Sequence, residues 1–203
     1  CCTTPRRRRA WTDLPTDRRP AARPTQATEV ARAQFEMLVR NAKRGVPASV
    51  LAVPLFGMAL HLGGPTDGFA HWAIALLALT PVYFFIVEPQ YRRWAARGNF
   101  ENVARLLAGY SAVFGAVWGL GAVWFFSAEP VRLVVLTVAV LGNLTALLMA
   151  TTIHLRSVYS FSLPLALPFM ILAAAPDDPL AWIVAGAVLL MLLIVLMHAH
   201  ANH

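Results

Sequence analysis

Apolar residues form long runs along most of this chain, and short polar segments separate the runs. The runs are rich in Leu, Ala and Val and do not alternate polar with apolar positions, which favours helices over strands. Because a bilayer core of about 30 Å is crossed by about 20 helical residues, the pattern predicts an all-α fold, a polytopic membrane bundle of six transmembrane helices. The predicted spans are residues 46–62, 70–87, 106–126, 133–150, 158–175 and 180–197.

Turn residues support most of these boundaries, although one span is ambiguous. Segments rich in Gly, Pro and Asp at 63–68 and 175–179 are typical of breaks between helices. The charged segment 88–105 is expected to be a long loop. The first run is the shortest and contains Pro47 and Pro54, which can kink or break a helix. Five spans therefore remain the alternative to six.

Composition separates the chain from water-soluble proteins. It is 58% hydrophobic and 13% charged, with a mean hydropathy of +0.59, whereas soluble domains average about 45–50% apolar and about 25% charged residues. Residues 1–27 differ from the rest, being basic and rich in Pro, and are predicted to be a disordered cytoplasmic arm. Residues 28–44 are predicted to be an amphipathic lead-in helix, on the membrane surface or simply solvated. The six-helix domain covers 45–198, and 199–203 begin a juxtamembrane connector.

Basic residues are sorted along the chain in a way that predicts topology. The chain has 17 Lys and Arg against 10 Asp and Glu, a net charge of +7. With the N-terminus in the cytoplasm, every Lys and Arg except Arg132 falls on the cytoplasmic side of the six spans, as the positive-inside rule requires. Both termini are therefore predicted to be cytoplasmic. The lipid bilayer, and no nucleic acid, is the predicted partner of the positive charge.

The sequence shows no constellation of catalytic residues, so neither enzymatic activity nor a cofactor is predicted. There is no Gly-rich phosphate loop and no pair of acids inside a predicted span. His61 and His71 flank the first outer loop, where with Asp67 they are candidates for sensing acidity or binding a metal. Because two His rarely suffice to hold a metal ion, no metal is predicted. The alternative is that both imidazoles are only solvated.

Small and polar residues inside the spans are candidates for helix contacts. Gly115 and Gly119 form a G-x-x-x-G motif in the third run, and such motifs let helices approach closely. We favour packing within the chain as its role, with dimerisation as the alternative. Asn143 is the strongest polar feature inside a span, and it follows Gly142 directly. We favour helix packing with an interhelical hydrogen bond as the role of this pair. Ligand recognition by Asn143 is the alternative.

Two prolines interrupt the fifth run. Pro164 and Pro168 remove two backbone donors, which predicts a kink in that helix. Ser160 and Ser162 lie beside them, so the kinked segment is a candidate lining for a small ligand cavity. The alternative is a static bend that binds nothing.

Several stretches resemble a known region of bacterial signalling proteins. Residues 114–120 read Phe-Gly-Ala-Val-Trp-Gly-Leu, residues 159–164 read Tyr-Ser-Phe-Ser-Leu-Pro with Pro168 beyond, and residues 35–42 form a similar lead-in. With the apolar runs, these stretches are similar to the six-transmembrane N-terminal sensor region of bacterial membrane-bound GGDEF diguanylate cyclases and sensor histidine kinases. The resemblance covers roughly residues 30–203.

This resemblance implies a multi-pass protein of the bacterial cytoplasmic (inner) membrane whose last helix continues into a dimeric connector and a cytosolic output domain. The chain contains neither a GGDEF motif nor a phosphoacceptor His box, so cyclase or kinase activity is not assigned to these residues. The expected function is a non-catalytic sensory and anchoring module in cyclic-di-GMP or two-component signalling, homodimeric through the connector. The alternative is a small six-helix transporter or permease subunit.

Overall fold

A computed structural model describes residues 36–37, 40, 51–127, 129–150, 155–175 and 178–201. The predicted arm 1–27, most of the lead-in segment 28–44 and both cysteines lie outside the described residues. Of the lead-in segment, residues 36, 37 and 40 are described, and they are helical and exposed.

The described residues form helices and turns, with no strand among them. The prediction of an all-helical chain is therefore confirmed for this part of the molecule. In chain order the helices are α1 (Leu51–Leu62), α2 (Phe69–Val82), α3 (Glu88–Ala96), α4 (Phe100–Trp124), α5 (Pro130–Ala150), α6 (Leu155–Ala174) and α7 (Pro179–Ala201).

Five helical stretches are long and apolar enough to cross a membrane, which is the pattern of a multi-pass membrane protein. They are Phe69–Ala96, Phe100–Trp124, Pro130–Leu148, Leu155–Ala174 and Pro179–Ala201. The first predicted span corresponds to α1, which is apolar but shorter than a bilayer crossing over its described length. Residues 46–50 of that span lie outside the described residues.

The loop predicted at 88–105 is wrong, because most of this segment is helical. A π-helical turn, Tyr83–Val87, joins α2 to α3 without a break, and the three residues 97–99 then connect α3 to α4. Gly98 has a φ of +70°, which a glycine adopts without strain at a helix end. The Asn99 side chain accepts a hydrogen bond from the Asn102 backbone N–H at 3.3 Å and caps α4.

The charged side chains of this segment, which led to the prediction of a loop, instead form ion pairs along helices. The Arg92 guanidinium donates to the Glu88 carboxylate at 2.6 Å, one helical turn away. Arg105 pairs in the same way with Glu101 at 3.2 Å. Pairs four residues apart stabilise a helix surface, so the charges extend the helices beyond the apolar runs.

Helix α4 packs most extensively against α6, which also contacts α7, and α7 in turn contacts α5. Contacts between α4 and α6 advance in the same direction along both helices, so these two helices are parallel. Glu101 meets Arg156 at one end of the pair, and Phe126 meets Phe169 at the other. We call these two ends of the bundle the Arg156 end and the Arg132 end, since Arg132 begins α5 at the second.

Candidate functional site

The backbones of α4 and α6 approach each other closely at two glycines of α4. A Cβ added to Gly115 would collide with the carbonyl oxygen of Phe161, and one added to Gly119 would collide with that of Pro164. Both glycines are buried. The predicted G-x-x-x-G motif therefore lies at an intrachain contact, where the absent side chains let α6 backbone oxygens face α4 Cα atoms. Cα–H···O contacts of this kind recur where helices pack closely.

The two prolines of α6 lie within the same contact. Helix α6 is continuous from Leu155 to Ala174 through both of them. Pro168 has no N–H, so it cannot donate to the carbonyl of Pro164 four residues earlier. That carbonyl is the one facing Gly119. The Pro164 oxygen thus lacks its helical donor and faces the α4 backbone. This stretch of α6 therefore has fewer backbone hydrogen bonds than a helix without proline.

The serines near the prolines do not share one environment. Ser162 is fully buried, and its hydroxyl donates to the Val158 carbonyl of its own helix at 2.8 Å. Ser160 is half-buried. The Ser162 hydroxyl is therefore already satisfied within α6 and is enclosed by the packed core.

Aromatic side chains join α1, α2 and α4 near the Arg132 end. Trp72 is 4% exposed, and its indole N–H donates to the Val117 carbonyl of α4 at 2.8 Å. Gly121 makes room for this ring, because a Cβ there would collide with the indole. Trp118 packs edge-to-face on Trp72, with ring centroids 5.2 Å apart. Other rings complete this aromatic cluster: Phe56, Phe69 and Phe125.

Trp72, Trp124 and Trp182 each lie close to a predicted outer turn in the sequence, but they differ in burial. Trp72 is a core residue that joins two helices. Trp124 and Trp182 are exposed, as rings at an interface would be. Periodicity alone does not separate a tryptophan that faces a neighbouring helix from one that faces lipid.

The candidate residues of the first outer loop are not gathered into a metal site. His61 and His71 are both exposed, as is Asp67. Within the described residues no group of three or more His, Cys, Asp or Glu side chains is close enough to hold a metal ion.

Arg132 of α5 forms hydrogen bonds with the loop between α1 and α2. Its guanidinium donates to the carbonyl oxygens of Gly63 at 3.1 Å and Pro65 at 2.9 Å, just beyond the C-terminal end of α1. A cation is favourable there because carbonyls at a helix end carry partial negative charge. The Glu129 carboxylate accepts the backbone N–H of Arg132 at 2.8 Å and so caps the start of α5. The one basic residue that the sequence assigns to the outer side thus has a structural role.

Asn143 lies on α5, where its amide donates to the Ala139 carbonyl of the same helix at 2.9 Å. The side chain is half-buried. Neighbouring Gly142 is exposed, and a Cβ added to it would meet no atom within 4 Å. Gly142 is therefore not at a helix contact within the described part of the chain, although packing was its expected role.

Sequence reasoning missed a polar cluster at the π-helical turn. Glu88 is buried although it carries a carboxylate, and it pairs with Arg92. Tyr83 is fully buried beside Tyr91 and Leu107. The Tyr110 hydroxyl donates to the Leu79 carbonyl of α2 at 3.3 Å. A signal was available, since Glu88 directly follows an apolar run, and π-helical turns are frequent at functional sites.

Neither a family model, nor a curated protein, nor a solved structure matches this chain. The class of protein therefore follows from the structure alone: the described residues form helices and turns, and five of the helical stretches are apolar and long enough to cross a membrane.

Proposed function

We propose that this chain is the sensory and anchoring module of a bacterial cytoplasmic-membrane protein and that it relays a stimulus to a cytosolic signalling domain. It crosses the bilayer six times, with α1 and the residues before it as the first span and both termini in the cytoplasm. Support for this topology comes from the charges, because all Lys and Arg except Arg132 then lie on the cytoplasmic side. The Arg156 end of the bundle is the cytoplasmic end.

The single observation that carries the proposal is the position of α6. This helix packs tightly on α4 through Gly115 and Gly119, carries Pro164 and Pro168, and also contacts α7. A helix that lacks backbone hydrogen bonds can change its bend at low cost. The missing backbone hydrogen bonds of α6 therefore support the proposal that this helix has two alternative packings against α4 and α7. A signal relay needs an element with two such states.

The relay works through α7. A stimulus at the Arg132 end, or within the bilayer, shifts the balance between the two packings of α6, and α7 moves with α6. Helix α7 ends at the cytoplasmic side, where it continues toward the output domain. Because the described outer turns are short, the stimulus is small, lipidic or physical. A ligand shifts such an equilibrium only by its difference in affinity for the two states.

One experiment tests the relay directly. Spin labels at Arg105→Cys and His200→Cys, in a chain with Cys1 and Cys2 replaced by Ser, report the distance between α4 and α7 at the cytoplasmic end. Vesicles of thin and thick bilayers serve as the physical stimulus. We expect the distance to change with thickness and the change to shrink in the Pro164→Ala, Pro168→Ala double variant. The matched control, Pro81→Ala in α2, should respond as the parent does. Equal responses in all three proteins would refute the relay.

A transporter is the second candidate, and Glu88 favours it. A carboxylate buried beside a π-helical turn is the kind of feature found on substrate or ion pathways. Its pairing with Arg92 at the charged end of the helix instead fits a structural role. Flux of a cation or small solute into proteoliposomes, abolished by Glu88→Gln, would favour transport over sensing.

A further inference from the structure

One side of α5 carries small residues that no other described helix covers fully. Ala139, Gly142 and Ala146 recur at helical spacing along it, with Gly142 and Ala146 exposed and Ala139 half-buried. Asn143 borders the same side. We call these four residues the Gly142 face. The exposed positions of α7 include large residues such as Ile183 and Leu190 and also Gly186, but no Asn borders them.

Asn143 has hydrogen-bonding capacity that its own helix does not use. Among the described residues, its one hydrogen bond is the donation to the Ala139 carbonyl. The amide oxygen and the second N–H therefore have no partner in this part of the chain. At 1.5 Å per residue, Asn143 lies about 20 Å along α5 from Pro130, inside a hydrocarbon core of about 30 Å.

An unsatisfied amide in hydrocarbon is costly, because lipid chains offer neither donors nor acceptors. The neighbouring Thr145 shows the contrast, since its hydroxyl already donates to the Leu141 carbonyl of α5 at 2.8 Å. The side-chain group of Asn143 carries both a donor and an acceptor. It is therefore complementary to a second copy of itself.

We propose that the Gly142 face is the contact between two copies of this chain in the membrane, with Asn143 of each copy hydrogen-bonded to Asn143 of the other. A two-fold axis along the bilayer normal brings identical residues together. Gly142, with open space where its side chain would be, lets the two α5 backbones come close enough for the amides to meet. Lipid cannot provide these hydrogen bonds, and a second copy provides both.

This dimer does not depend on the proposed function, because a transporter can dimerise through the same face. The two-fold axis also relates the two copies of α7, each of which packs against its own α5.

The dimerisation constant in lipid vesicles is the first test. The chain, with Cys1 and Cys2 replaced by Ser and one fluorophore attached, is diluted in vesicles while pairing is counted by energy transfer. We expect Asn143→Leu to weaken pairing by about 3- to 30-fold, and Asn143→Gln, which keeps the amide, to retain most of it. Gly186→Leu is the control, because Gly186 is an exposed glycine of α7 with open space around it; it should leave the constant unchanged.

Cross-linking is a second readout that does not depend on the stability of the Asn143 variants. Thr145 and Ala146 are adjacent and both exposed, but they point about 100° apart around the helix. We expect Ala146→Cys to form a disulfide-linked dimer in the membrane and Thr145→Cys to form little. A monomeric parent chain, equal cross-linking at the two positions, or an unchanged constant in Asn143→Leu would each overturn the proposal. Cross-linking of Ala146→Cys to a different protein would do so as well.

Discussion

The carbonyl oxygen of Pro164 in α6 lies directly against the Cα atom of Gly119 in α4. Pro168 supplies no N–H to this oxygen, which instead faces the backbone of another helix. A side chain at position 119 would occupy the place of that oxygen. The position of the Pro164 carbonyl therefore requires glycine at position 119. A change at that position in α4 should shift α6.

Gly119→Ala should loosen the α4–α6 contact. The added Cβ collides with the Pro164 carbonyl, so the helices must separate, at a cost of about 1–3 kcal/mol for overpacking. Gly109→Ala is the matched control, because Gly109 is exposed on the same helix and an added Cβ there meets no atom within 4 Å. Unfolding in mixed detergent micelles measures both. If the two variants are equally stable, the close contact is not needed.

Pro168→Ala should stiffen α6. The new N–H can donate to the Pro164 carbonyl, which restores a helical hydrogen bond and removes a proline cost of up to about 3 kcal/mol. Backbone amides around position 168 should then exchange with deuterium more slowly. Pro81→Ala provides the comparison, since Pro81 lies in α2 and is exposed. Unchanged exchange in α6 would mean that the prolines do not soften the helix.

Trp72→Phe should destabilise the junction of α2 and α4. Phenylalanine has a smaller ring, so the indole hydrogen bond to the Val117 carbonyl is lost at a cost of about 0.5–1.5 kcal/mol, and the space that the indole vacates in the core adds to that cost. Trp182→Phe removes an indole that is exposed on α7 and should change the free energy of unfolding by less than about 0.5 kcal/mol. An equal effect of the two substitutions would contradict the role assigned to Trp72.

Arg132→Met should release the loop between α1 and α2. Methionine keeps the apolar stem but donates nothing to the carbonyls of Gly63 and Pro65, and hydrogen bonds from a charged group contribute about 1.5–3 kcal/mol. Amide exchange of residues 63–68 should increase. Arg93→Met, at an exposed position of α3, should leave that loop unchanged. Full protection of the loop in Arg132→Met would show that the cap is dispensable.

The sequence predicts the packing role of some glycines in the spans but not of others. Gly115 and Gly119 were identified as a packing motif because their spacing places them on one side of a helix, and they do lie on one contact. Gly142 has the same chemistry but faces open space. Gly142 has no second glycine four residues away, but small-residue spacing alone does not say which side of a helix is covered, because that depends on the neighbouring helices.

The sequence by itself determined that long apolar runs form helices, which satisfy their own backbone hydrogen bonds, and that most Lys and Arg lie before the first run or in the segment 88–105. These features follow from residue chemistry and chain-local hydrogen bonding, which act before any helix meets another. Only the tertiary structure decided that the charged segment after residue 87 continues as helix, that Trp72 is buried and that α6 is the partner of α4. Those outcomes depend on which surfaces meet, and contacts between residues far apart in the chain are set by packing rather than by spacing.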